Sequence, residues 1–177
     1  MIIGITGASG SGKNRVAELL MQVNPSLRHI DVDLISHHVL TLPQVIPEIV
    51  EVYGNVILVD DKIDRKILAS LAFNNRDKYD QLNSITWKYM VGMIDLKIAQ
   101  NPQGVIINHA LLPRMKHFDM CNLKILTRVP YKKRLLRAMK RDGITKEQFD
   151  ERNQFSIEYW PPNYNIVIDN TYPKEEL

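Results

Sequence analysis

Residues 4–20 read GITGASGSGKNRVAELL, and the spacing of Gly7, Gly12 and Lys13 inside them decides the fold. The pattern is G-x-x-x-x-G-K with Gly10 added between its ends. Phosphate oxygens are wrapped by backbone N–H groups, which requires glycine where a side chain would collide or where φ is positive. A lysine at position 13 reaches the β- and γ-phosphates, and the N-terminus of a following helix favours their negative charge. Gly7, Ala8, Ser9, Gly10, Ser11, Gly12 and Lys13, with Asn14 and Arg15 at the exit, are therefore the candidate nucleotide cradle.

The flanks of the loop fit that reading. Ile2 to Thr6 is a short β-branched run stopped by Gly7, as expected of a strand buried on both faces. Val16, Leu19, Leu20 and Val23 recur at three- and four-residue spacing, which predicts an amphipathic helix over Lys13–Val23, ending before Asn24-Pro25. RHIDVD (28–33) predicts a second strand running to Asp31 and Asp33, and GVIINHALL (104–112), NLKILTRV (122–129) and NIVIDN (165–170) predict three more. Helical patterns cover Asp64–Phe73, Arg76–Gln100 and Tyr131–Arg141. Strands separated by helices mean crossover connections, hence an α/β chain with a mostly parallel five-stranded sheet in a three-layer α/β/α arrangement. The strand-poor interval 34–102 reads as a helical insertion over one sheet edge, where such caps hold a second substrate, and the whole of 1–177 reads as one domain with appendages.

Composition excludes several classes. At 177 residues, 45% hydrophobic and 24% charged, the chain matches neither a disordered nor a fibrous protein. A net charge of +3 suits an anionic ligand and gives no argument for nucleic acid. The single cysteine, Cys121, lies in no C-x-x-C or Cys/His cluster, and reads as a core thiol in a reducing compartment. No apolar run approaches the length of a membrane span, and MIIGITG lacks the plan of a secretory leader, so the expected location is cytoplasmic.

Asn14 stands where the residue after the lysine ordinarily offers a hydroxyl to Mg²⁺. Its amide oxygen is chemically acceptable to a cation that wants octahedral oxygen ligands. Either metal binding is weakened, or a water or a nearby carboxylate takes over.

Beyond the loop, HIDVDLISHHVL (29–40) carries an I-D-x-D stretch, and YGNVILVDDKIDRKILASLAFNN (53–75) follows F-G-x-x-I-L…G-x-I-D-R-x-x-L-x-x-x-V-F. LNSI (82–85), HALL (109–112), RLLRAMKRDGIT (134–145) and VIDN (167–170) complete the order. Over nearly its whole length the chain resembles the dephospho-CoA kinases, P-loop enzymes of the nucleoside-monophosphate-kinase type. The resemblance implies a P-loop NTPase fold with a helical insertion and a lid at about 142–163. It also implies ATP-dependent, Mg²⁺-assisted phosphorylation of the ribose 3′-hydroxyl of dephospho-CoA, the last step of coenzyme A biosynthesis. A small-molecule partner follows, with no nucleic acid or membrane, and nothing about oligomeric state.

Matched residue by residue, the resemblance makes Asp33 the general base, against the alternative of a helix N-cap, with Asp31 positioning metal or water. Arg65 of the I-D-R stretch contacts substrate or makes a helix-start ion pair. Arg137 and Arg141, four apart, either converge on ATP phosphates or join Lys132, Lys133, Arg134 and Lys140 on a solvated basic face. Asn170 is expected near the adenine.

The sequence also departs from that pattern. Arg15 replaces the usual threonine, and its charge is a candidate substitute for part of the metal's; Trp87-Lys88 replaces His-Pro. Asn108 and His109 precede the leucines where an acidic residue is usual, and QFSIEYWPPNYN (154–165) lacks the usual lid bases. These departures keep two alternatives open: a catalytically impaired nucleotide- or CoA-binding homologue, and a P-loop kinase for another small hydroxyl-bearing substrate.

Overall fold

Ile2–Thr6 forms strand β1 and Lys13–Val23 forms helix α1, the two sides of the glycine loop. In this computed structural model residues 1–155 and 163–171 are described. Arg28–Asp31 is β2, after which the chain runs through helices α2 (Val32–Val39) and α3 (Val45–Tyr53), a hairpin of β3 (Leu58–Val59) and β4 (Lys62–Ile63), and helices α4 (Arg65–Phe73) and α5 (Arg76–Ala99). It continues as β5 (Val105–Asn108), α6 (His117–Met120), β6 (Leu123–Arg128), α7 (Tyr131–Asp142), α8 (Lys146–Asn153) and β7 (Ile166–Asp169). Cα packing separates Val32–Lys97 from a unit made of Met1–Asp31 and Ile98–Leu177.

In the larger unit five strands lie in the order β2-β5-β1-β6-β7, every neighbouring pair parallel. The chain leaves β1 past β5 to reach β2, whereas β5 connects to β6 on the other side of β1. That reversal opens a crevice at the carboxyl end of β1, where α/β sheets bind ligands. Ile3 and Ile5 of β1, Val16 and Ala17 of α1, Leu27, Ile106 and Ile125 make one apolar cluster that fixes the strand–loop–helix unit. Packing around β1 is tight enough that a Cβ on Gly4 would come 2.6 Å from Cys121 Sγ. Cys121 is buried, donates to His117 O at 3.1 Å, and its thiol is pushed by desolvation up to about 11, as befits a core thiol.

The second strand is shorter than its pattern predicts. β2 stops at Asp31 because Val32, Ile35 and Val39, spaced three and four apart, bury as one face of α2. Asp33 therefore sits in the first turn of a helix, exposed, and not at a strand end. Of the lid stretch, residues 156–162 lie outside the described residues. Its approach is a helix with a capping box: the Thr145 hydroxyl accepts from Gln148 N while the Gln148 side chain accepts from Thr145 N.

Within Val32–Lys97, Val45, Ile49, Ile57, Leu68, Met90 and Ile94 are buried. Tyr53 donates to Lys78 O at 2.7 Å, and desolvation pushes its phenol up to about 12. Lys88 reaches Glu48 at 3.4 Å, and the same carboxylate accepts from Tyr89. The β3–β4 turn is made by Asp60 and Asp61 at φ 49° and 60°, a left-handed pair usually built from Asn-Gly or Asp-Gly. Asp64 caps α4, accepting from Lys66 N at 2.7 Å and Ile67 N at 3.0 Å.

This turn and this cap make opposite contributions to stability. Asp61→Gly relieves left-handed strain and raises stability by about 0.5 kcal/mol, seen as about 1–2 °C in thermal unfolding. The Asp64 carboxyl lies below its ordinary 3.8 because the N–H groups of Ile67 and Lys66 hold it ionised, so its contribution is present above that value and is lost as pH falls through the depressed one. Asp64→Ala lowers the thermal midpoint at neutral pH and flattens the acid limb below about pH 4, whereas Asp64→Asn keeps most of the cap while flattening the same limb.

Candidate active site

The loop between β1 and α1 is shaped by what surrounds it. At Gly12, φ is +90° and a Cβ would overlap the Asn170 amide nitrogen; at Gly7 it would overlap the Thr127 carbonyl and hydroxyl. Gly12 is also the N-cap of α1, with no side-chain cap and no acidic residue in the first turn. The first amides and the positive end of the dipole are thus left for an anionic ligand. Lys13 is buried and lies across the loop, donating to Gly7 O at 3.0 Å and Ala8 O at 3.5 Å.

Four side chains brace this turn from outside it. Thr127, buried in β6, donates to Thr6 O at 3.1 Å and shares a 2.7 Å hydrogen bond with the Ser11 hydroxyl. Asn170, past the end of β7, donates to Ser11 O at 3.0 Å. Arg137 joins Gly10 O at 3.4 Å to Asn170 O at 3.0 Å. Arg134, one turn earlier on α7, reaches Ser9 O at 3.4 Å, Val129 O at 3.2 Å and Asn153 Oδ1 at 2.9 Å.

Arg134 belongs to the site although its position among basic residues reads as solvated. Arg141 goes the other way: it is exposed and its guanidinium is held by Asp142 at 2.6 and 2.8 Å, so Arg137 and Arg141 do not converge. Arg15 reaches Glu18 of its own helix at 3.5 Å and not the loop carbonyls. Arg65 and Asp33 lie in the Val32–Lys97 unit, both exposed.

At the exit of the loop, Asn14 donates to Asp31 Oδ2 at 3.3 Å and accepts from Asn108 Nδ2 at 2.7 Å. Asn108 Nδ2 is also 3.2 Å from His29 Nε2. Desolvation lowers the imidazole pKa of His29 below its ordinary 6.5 against the opposing charges of Asp31 and Glu18, which suits Nε2 as the acceptor. Asn14 and Asp31 offer amide and carboxylate oxygens, a hard donor set that fits Mg²⁺ when phosphate oxygens and water complete it. Thr127 and Asn108 left a sequence signal: each is a buried polar residue directly after a buried apolar stretch, Ile125-Leu126 in β6 and Val105–Ile107 in β5.

The profile of the dephospho-CoA kinase family matches residues 1–174. The chain belongs to the dephospho-CoA kinase family. A dephospho-CoA kinase of Bacillus cereus is 30% identical over 178 residues, covering 96% of this chain and 88% of that one. That of Fusobacterium nucleatum is 29% identical over 181 residues, covering 100% and 93%. Among solved structures, one from Thermus thermophilus aligns with a TM-score of 0.78 at 23% identity over 99% of this chain and 91% of that one. The dephospho-CoA kinase of Campylobacter jejuni aligns at 0.65 and 22% identity over 99% and 90%. These two show the shared α/β fold. Among the described residues of this dephospho-CoA kinase family member, no helix is long and apolar enough to cross a membrane.

The two arginines give opposite expectations. Arg137→Ala strips Gly10 O and Asn170 O of a charged donor and costs about 2 kcal/mol in urea unfolding. Arg141→Ala changes the same midpoint by less than about 0.5 kcal/mol.

Proposed function

We propose that this protein is a cytoplasmic ATP-dependent kinase that phosphorylates the ribose 3′-hydroxyl of dephospho-CoA, giving coenzyme A and ADP. The observation that carries the reading is the uncapped N-terminus of α1 behind the glycine loop, with Lys13 laid across it, in a chain of this family. The loop amides of residues 7–15 and Lys13 hold the β- and γ-phosphates, and Arg137 meets the charge that develops as the γ-phosphoryl group moves. Asp33 takes the proton of the 3′-hydroxyl as its oxygen forms the new bond to phosphorus and the β–γ bridging bond breaks toward ADP. Asn170 faces the adenine; its Oδ1 is buried without a hydrogen-bond partner among the described residues, an acceptor suited to an amino group. Arg65 and the helices within 34–102 take the acceptor, and residues 142–163 act as the lid. Asn14 and Asp31 would hold Mg²⁺, which would supply neutralising charge to the bound phosphates.

A second reading, a homologue that binds nucleotide without turnover, is favoured by one observation: Asn14 turns its N–H and not its oxygen toward Asp31. Purified protein incubated with ATP, Mg²⁺ and dephospho-CoA is expected to yield coenzyme A by mass over many turnovers, and Asp33→Asn to lower kcat by about 10²–10³-fold. Nucleotide binding with no product from any acceptor supports the second reading. Product only from a different hydroxyl compound overturns the choice of dephospho-CoA and keeps the kinase chemistry.

A further inference from the structure

The hydrogen-bond chain at the loop exit has only one consistent polarity. Asp31 can only accept, so Asn14 must present Nδ2 to it and turn Oδ1 toward Asn108 at 2.7 Å. Asn108 must then donate, and it does so from a position that is 2% exposed at the end of β5. Rotating the Asn108 amide would set two carbonyl oxygens against each other; rotating both amides would set Asn14 Oδ1 against the Asp31 carboxylate. Asn14 itself is exposed at the start of α1, and these two bonds are what fix its amide plane. We propose that Asn108 is the positioning residue that holds the Asn14 amide oxygen in place as a ligand for the divalent cation bound with the nucleotide, a role that rests on the nucleotide-binding reading of the loop.

Partners that orient a metal ligand from behind typically carry a tenfold or larger share of metal affinity. Asn108 touches neither phosphate nor cation; it acts by denying Asn14 its other rotamers and by taking one of the two lone pairs of Oδ1. A metal ligand chosen in this way depends on two residues 94 positions apart. Asn14 and Asn108 are therefore one functional unit.

The test is a calorimetric cycle with ADP, measured with EDTA and with saturating Mg²⁺, on the parent, Asn14→Ala, Asn108→Ala and the double variant. Asn108→Ala is expected to leave metal-free ADP affinity within about twofold, and to cut the Mg²⁺-dependent gain by about tenfold. Asn14→Ala loses the same gain, and the double variant loses no more than either single one. Equal loss of affinity with and without Mg²⁺ in Asn108→Ala makes it a structural residue and overturns the proposal, as do additive losses in the double variant. Should Asn108→Ala not fold, Asn108→Leu, which keeps the volume and removes the donor without adding a charge, is expected to lose the gain as well, and retention of it overturns the proposal. A parent that binds ADP equally well with and without Mg²⁺ also overturns it, because Asn14 then holds no cation. A parent that binds no ADP at all contradicts instead the nucleotide-binding reading beneath it.

Discussion

At Gly7, Gly10 and Gly12 the loop has no space for a Cβ, and the rest of the larger unit is arranged around that fact. The Thr127 carbonyl and hydroxyl, the Asn170 amide and the Arg134 carbonyl stand where side chains would otherwise project. Each of the three residues is also bonded to the loop's own polar groups. The turn is thus held by its outer surface, which leaves the amides of its inner surface for phosphate. The pattern of φ angles and the ring of braces are two aspects of one constraint: a loop that must be rigid before its ligand arrives.

The glycine loop and its flanks are legible in the sequence because each level agrees with the next. An apolar β-branched run, a glycine-rich turn and a 3.6-residue repeat give β1 and α1, and α1 spans Lys13–Val23 as its repeat predicts. The parallel sheet follows from alternation of strands and helices. Where signals compete, the pattern misleads. Asp33 looks like the end of a strand because the alternation in RHIDVD runs two residues beyond the point where the spacing of Val32, Ile35 and Val39 takes over. The β3–β4 hairpin is invisible because its two left-handed positions carry Asp60 and Asp61, and the turn lacks the glycine that ordinarily marks it.

On α7, periodicity groups Arg137 with Arg141 and does not say which arginines face the loop. Helical spacing fixes neighbours on a face and leaves the face's partner undetermined. Tertiary packing decides it, turning Arg134 and Arg137 onto loop carbonyls and leaving Arg141 to Asp142. Asn108 is visible as an oddity of composition, but its bond to Asn14 spans 94 residues and no local pattern encodes it.

That bond bears on how such a sequence can change. With Asn108 buried, a change of position 14 alone to serine withdraws the acceptor that its N–H meets at 2.7 Å and leaves only His29 beside it. An unpaired buried donor costs about 1–3 kcal/mol, a sizeable part of a typical domain's stability. The two asparagines therefore behave as a ratchet: with Asn108 in place, replacing Asn14 alone costs stability, and a lineage carrying the pair is steered toward adjusting its surroundings instead of retracing its steps.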